Sequence, residues 1–155
     1  MDDQSFLKVA IAMAAENVEQ GGGPFGALIV KDGQVVGRGV NQVTKTNDPT
    51  AHAEVVAIRE ACRNLGQFKL DGCVLYTSCE PCPMCLGAIY WAHISRIVYA
   101  AGKTDAARAG FDDSFIYEQF AVGPQDRTIP ARGITLKETA EPFRRWQNLA
   151  SRIEY

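Results

Sequence analysis

No apolar run in the chain approaches the ~18 residues of a membrane-spanning helix, which argues against an integral helical membrane protein. Nor is there an excess of basic charge. Sixteen Lys and Arg stand against 18 Asp and Glu, a net −2, so no general attraction to nucleic acid or anionic lipid is expected, although a local basic patch remains compatible with it. The start, Met1-Asp2-Asp3-Gln4, is acidic and lacks the basic region that opens a secretory signal peptide, and a cytoplasmic protein is expected. Internal repeats, low-complexity tracts and linkers are also missing. The 155 residues are therefore expected to form one domain, 1–155, able to bury about two thirds of its unfolded surface. What is present is cysteine in an odd number, five, three of them within Cys79–Cys85. That crowding suits a reducing compartment and metal binding better than a disulfide framework.

Hydrophobic periodicity divides the chain into alternating elements. Phe6, Ala10, Ala14 and Val18 recur at helical spacing over residues 4–20, with Asp2 or Asp3 as cap and Gly21-Gly22-Gly23 as stop. Phe25 to Lys31 and Gln34 to Asn41 read as strands joined by a tight Asp32-Gly33 hairpin. Gly37 and Gly39 weaken the second strand and point to a bulge or a close backbone approach. Asn47-Asp48-Pro49-Thr50 reads as a turn, with Thr50 capping a helix over 51–65 that Gly66 ends. Cys73 to Ser78 reads as a buried strand, 83–92 as a helix and Arg96 to Ala101 as a strand. Beyond residue 102 the periodicity is poor. Gly110 to Phe115 reads as a loop entering a short helix, Ile134 to Lys137 as a last strand, and 141–152 as a helix with Phe143, Trp146, Leu149 and Ile153 on one face. Strands alternating with helices predict a layered α/β domain with a partly parallel sheet.

Everything is arranged around Ser78-Cys79-Glu80-Pro81-Cys82-Pro83-Met84-Cys85. Pro83 suits the first position of a helix, which puts Cys82 at the cap and Cys85 on the first turn, on one face and beside a helix N-terminus that favours thiolates. Two such thiolates are half of a zinc site. The other half is expected at His52-Ala53-Glu54, with His52, Cys82 and Cys85 as ligands. On a regular helix residues 52 and 54 would point about 200° apart, so both reach one site only if His52 stands at the very start of its helix. A rival reading takes Cys79 as a fourth ligand, a closed Cys3His structural zinc module without catalysis. Because Cys79 precedes the inferred helix start, it is expected to lie off the face that carries Cys82 and Cys85, and so not to be a ligand. Three protein ligands leave one position for water. Glu54, beside that position, is then the candidate base that takes the water proton.

His-x-Glu followed by Pro-Cys-x-x-Cys is the mark of the zinc nucleobase deaminases, so the chain resembles the cytidine deaminase superfamily. That resemblance implies a three-layer α/β/α fold with a mixed five-stranded sheet and one zinc ion per subunit. Gly23–Ala27, Asn47–Glu54, Tyr76–Cys85, Gly110–Phe115 and the terminal Glu-Tyr together are similar to the bacterial guanine deaminases, and the last two stretches carry the guanine assignment. The implied activity is hydrolysis of guanine to xanthine and ammonia, with Phe25, Asn41, Ala53, Trp91, Asp113 and Tyr155 binding the purine base. In type the residues agree. An Asn amide can donate to O6 and N7, a carboxylate can accept from N1–H and the 2-amino group, and Phe25 and Trp91 can sandwich a ring. Taken alone, Phe25 reads equally as core, Asn41 as a turn residue, and either Asp112 or Asp113 as the one facing inward. The resemblance further implies a homodimer in which the segment of about 138–155 is swapped onto the partner, placing Tyr155 over the partner's site. The alternative substrates are adenosine in a tRNA loop, cytosine or an amino-triazine. Residues 137–155 carry only one more basic than acidic residue, too few for a phosphate track, which argues against nucleic acid.

Overall fold

The computed structural model describes residues 2–155. Met1, the first residue of the acidic start, lies outside them. The chain divides into two compact units, the first ending at Asp113 and the second spanning Ser114–Tyr155.

In the first unit, α1 (Asp3–Glu19) is capped by Asp2, whose carboxylate accepts from Ser5 N–H at 2.8 Å. Strands β1 (Gly26–Lys31) and β2 (Gln34–Val40) form the expected two-residue hairpin, with Asp32 and Gly33 both at positive φ, 50° and 76°. The register slips between Ile29 and Val30, leaving Val36 as the extra residue of a bulge. A short α2 (Val43–Thr46) leads to α3 (Ala53–Leu65), which Gly66 ends in the left-handed conformation. Then follow β3 (Val74–Cys79), α4 (Pro83–Trp91), β4 (Arg96–Ala101) and α5 (Lys103–Arg108). The sheet order is β2-β1-β3-β4, antiparallel except for the parallel β3–β4 pair. One face packs against α1 through Phe6, Ala10, Leu28, Val30 and Tyr76. The other packs against α3 through Ala27, Ile29, Ala57, Ala61 and Leu75. This is the expected three-layer α/β/α arrangement with a mixed sheet.

The sheet has four strands, not five. The expected last strand at Ile134–Lys137 is absent because its backbone bonds locally. Leu136 N–H donates to Thr139 Oγ1 at 2.8 Å and Thr139 N–H donates back to Leu136 O, a turn in place of a ladder. Thr50 does not cap α3 either. Its N–H and hydroxyl both donate to Asp48, and the cap is His52. In α1 the residue that continues the buried face of Phe6, Ala10 and Ala14 is Asn17, 2 % exposed, and not Val18, which is 50 % exposed.

The second unit contains α6 (Ser114–Ala121), a single 3₁₀ turn at Pro124–Asp126 and α7 (Glu141–Asn148). The helix ends at Asn148, short of 152, with the Arg152 guanidinium donating to the terminal carbonyl of Gln147 at 2.9 Å. No residue of Ser114–Tyr155 is buried, although Phe115, Phe120, Phe143, Trp146 and Ile153 project from it.

Candidate metal centre and base pocket

Two helix N-termini meet at the centre. His52 is the cap of α3 with extended backbone (φ −69°, ψ 154°), and Cys82 is the cap of α4 in nearly the same conformation (φ −67°, ψ 168°). Extended backbone at the cap turns His52 away from the helical face, which is how residues 52 and 54 come to look at one point. Pro83 at the first helical position fixes the entry to α4. His52 Nδ1 lies 3.5 Å from Cys82 Sγ and 3.4 Å from Cys85 Sγ, and the three donor atoms form a single cluster. A tetrahedral zinc with bonds of about 2.0–2.3 Å sets neighbouring nitrogen and sulfur donors roughly 3.5 Å apart, so the set has the dimensions of a zinc site. Cys79 is outside the cluster, its thiol directed to Gly102 O at 3.8 Å, and burial followed by the Glu54 charge pushes it up to about 11. The closed Cys3His site is therefore not formed.

The charges favour metal binding. A hydrogen bond from Cys85, opposed by burial and helped by His52, pulls the Cys82 thiol down to about 4. Cys85 keeps the shared proton and moves up, while His52 is raised mainly by its contact with Cys82. Both sulfurs must be deprotonated to hold a dication, so binding releases protons.

Glu54 is 5 % exposed, and burial raises its pKa. Its Oε1 accepts from Thr77 Oγ1 at 3.2 Å, and its Oε2 lies 3.4 Å from Cys85 Sγ. Thr77, 1 % exposed on β3, was not singled out in the sequence; its place directly behind Glu54 depends on strand register. Ala53 is fully buried, and as the first helical residue it can offer a ligand only its N–H. A close approach sets α3 at this depth. A Cβ on Gly39 would overlap Ala53 O and lie 2.6 Å from Ala57 N, and one on Gly37 would lie 2.8 Å from Ala61 N.

Asn41 is 8 % exposed just past the end of β2. Its Oδ1 accepts from Val43 N–H at 3.2 Å, which leaves the NH2 as the end able to serve a ligand acceptor. Its N–H donates to Phe25 O at 3.1 Å. Phe25 is half-buried, with its ring edge-on to Phe111 at 5.0 Å. Of the two aspartates, Asp113 is the more buried; its pKa is raised first by desolvation and then by the nearby Cys82 charge, whereas Asp112 is exposed. Trp91 closes α4 and is 69 % exposed, about 13 Å along the helix axis from Cys82. Tyr155 belongs to the second unit, its ring 6.4 Å from that of Trp146.

Residues 1–101 match the model of the cytidine and deoxycytidylate deaminase zinc-binding region. The chain belongs to the cytidine and deoxycytidylate deaminase family. Within that family it is 58 % identical to the guanine deaminase of Bacillus subtilis (strain 168) over the whole of both chains. It is 45 % identical to the tRNA-specific adenosine deaminase of Aquifex aeolicus (strain VF5), over 65 % of this chain and 67 % of that one. The X-ray structure of guanine deaminase from Bacillus subtilis superposes with a TM-score of 0.98 at 58 % identity, covering 100 % of this chain and 99 % of that one. The zinc-binding family assignment and the donor spacing agree that the chain carries zinc.

Proposed function

We propose that this deaminase hydrolyses guanine to xanthine and ammonia. The observation that carries the reading is the extent of the likeness. The match to a tRNA deaminase covers 65 % of this chain, whereas the match to a guanine deaminase covers all of it, including Gly110–Phe115 and the C-terminal segment.

His52, Cys82 and Cys85 hold zinc, which when bound supplies Lewis acidity that lowers the pKa of the attacking water. Glu54, buried and steadied by Thr77, takes the water proton and delivers it to N3 as the oxygen adds to C2 of the purine. A second proton passes through Glu54 to the 2-amino group, the C2–N bond breaks and ammonia leaves. Hydrolysis at C2 places the amino group at Glu54, so Asp113 accepts from N1–H and the Asn41 NH2 donates to O6 or N7. Phe25 contributes a wall for the ring, and the backbone N–H of Ala53 is a further donor.

The working form is a homodimer. A segment with projecting aromatic side chains and no buried residue needs another surface, and burying it on a second copy would supply one. In that arrangement the swapped segment of about 138–155 brings Tyr155 to the partner's base pocket, and Trp91 completes the aromatic lining.

Ammonia release from a panel of free bases and nucleosides, together with tRNA, tests the assignment. Turnover of guanine with adenosine, cytidine, cytosine and tRNA inert is expected. Preferential turnover of tRNA adenosine or cytosine would overturn it.

A further inference from the structure

We propose that Asn17, buried at the C-terminal end of α1, is a positioning residue for base recognition that holds Phe25 and Asn41 in register. The inference rests on the guanine reading above and goes beyond it.

Asn17 is a polar side chain on the core-facing stripe of a helix, 2 % exposed, where an apolar residue would serve packing equally well. Its carboxamide is fully used. Nδ2 donates to Gly23 O at 2.8 Å and to Asn41 O at 2.9 Å, and Oδ1 accepts from Lys45 Nζ at 3.3 Å. The two carbonyls belong to separate segments. Gly23 lies in the loop that delivers Phe25, and Asn41 is the recognition residue at the end of β2. The same segments are tied once more by Asn41 N–H donating to Phe25 O. Two donors 120° apart on one rigid amide thus set the spacing between the residue that walls the ring and the residue that reads its edge.

The loop is shaped around this amide. A Cβ on Gly22 would lie 2.6 Å from Asn17 Cγ, and one on Gly23 would lie 2.9 Å from Asn41 Cγ, so neither position has room for a side chain. The Gly21-Gly22-Gly23 run, read from sequence as a helix stop, therefore also gives Asn17 access to both carbonyls. None of these bonds reaches His52, Glu54, Cys82 or Cys85. Loss of the amide should loosen base binding and leave the hydrolytic centre intact.

The test is steady-state kinetics of the zinc-loaded full-length protein with guanine, comparing wild type with Asn17→Asp. The carboxylate keeps the shape and the Lys45 contact but turns both donors into acceptors that face carbonyl oxygens. A misaligned Asn41 amide should raise KM by about tenfold, the worth of one hydrogen bond to the base, with kcat and zinc content held close to wild type. In an Asn41→Ala background the same substitution should leave KM nearly unchanged, because the residue acts through Asn41. If Asn17→Asp does not fold, Gly22→Ala, which displaces the amide from outside, decides by the same comparison. An unchanged KM, a loss confined to kcat or active fraction, or an equal effect in the Asn41→Ala background would overturn the inference. A wild-type protein inactive on guanine would instead overturn the function it rests on.

Discussion

Replacing Gly39 with alanine should move the catalytic helix without touching a catalytic side chain. The added Cβ would overlap Ala53 O and stand 2.6 Å from Ala57 N, against the 3.4–4 Å of ordinary contact, and both obstacles are backbone of α3. The first turn of the helix must therefore shift by roughly 1 Å, or β2 must bend away by as much. Overpacking of this kind costs about 1–3 kcal/mol. Because Ala53 sits between His52 and Glu54, the shift falls on one zinc ligand and on the proton carrier together, and a displacement of about 1 Å in a reacting group lowers turnover by on the order of 10²-fold. The control is Gly33→Ala, at the opposite end of β2 with φ 76°. It costs about 1 kcal/mol through backbone strain and should leave kcat per folded molecule unchanged. The assay is kcat for ammonia release normalised to bound zinc, with the melting temperature measured in parallel. Gly39→Ala with wild-type kcat and wild-type melting would refute the claim that this glycine sets the depth of α3.

Glu54→Gln keeps the Thr77 hydrogen bond and should bind zinc fully while kcat falls by about 10²–10⁴-fold, read by metal analysis and ammonia release. Cys79→Ala should retain one zinc per chain, whereas Cys82→Ala and Cys85→Ala should lose it. Stripping zinc with a chelator should lower the melting temperature, since the ion binds only the folded donor set. Asp3 accepts from Arg96 at 2.7 Å and from Tyr76 at 2.6 Å, and the Arg96 hydrogen bond, followed by that of Tyr76, holds its pKa down to about 2 from an ordinary 3.8. A carboxylate depressed on folding contributes stability above its unfolded pKa and loses it as pH falls through the folded one. Asp3→Asn should therefore show a flatter melting profile between about pH 4 and 2 than wild type, and equal slopes would remove Asp3 from the acid limb.

What could be read from sequence was what short-range chemistry encodes. Pro83 places Cys82 at a cap and Cys85 one turn on, and the requirement that His52 begin its helix follows from helical geometry alone; both hold in the structure. The Asp32-Gly33 hairpin and the close approach at Gly37 and Gly39 were legible for the same reason, although the helix that meets those glycines was not. Properties that depend on register or on distant partners were hidden. Thr77 reads as one more strand residue until β3 is threaded, and Asn17 is passed over for the more apolar Val18 beside it. Ile134–Lys137 has the alternation of a strand but no pairing partner, and Thr139 claims its backbone instead. The residues alone do not separate Asp113 from Asp112; the resemblance selects Asp113, and it is the more buried of the two.

The account turns on a zinc ion with three protein donors and one open position. X-ray absorption at the zinc edge of the loaded protein measures this directly. Two sulfur donors, one imidazole nitrogen and one further light atom are predicted for the resting enzyme; three sulfur donors would contradict it and return the chain to a closed structural site.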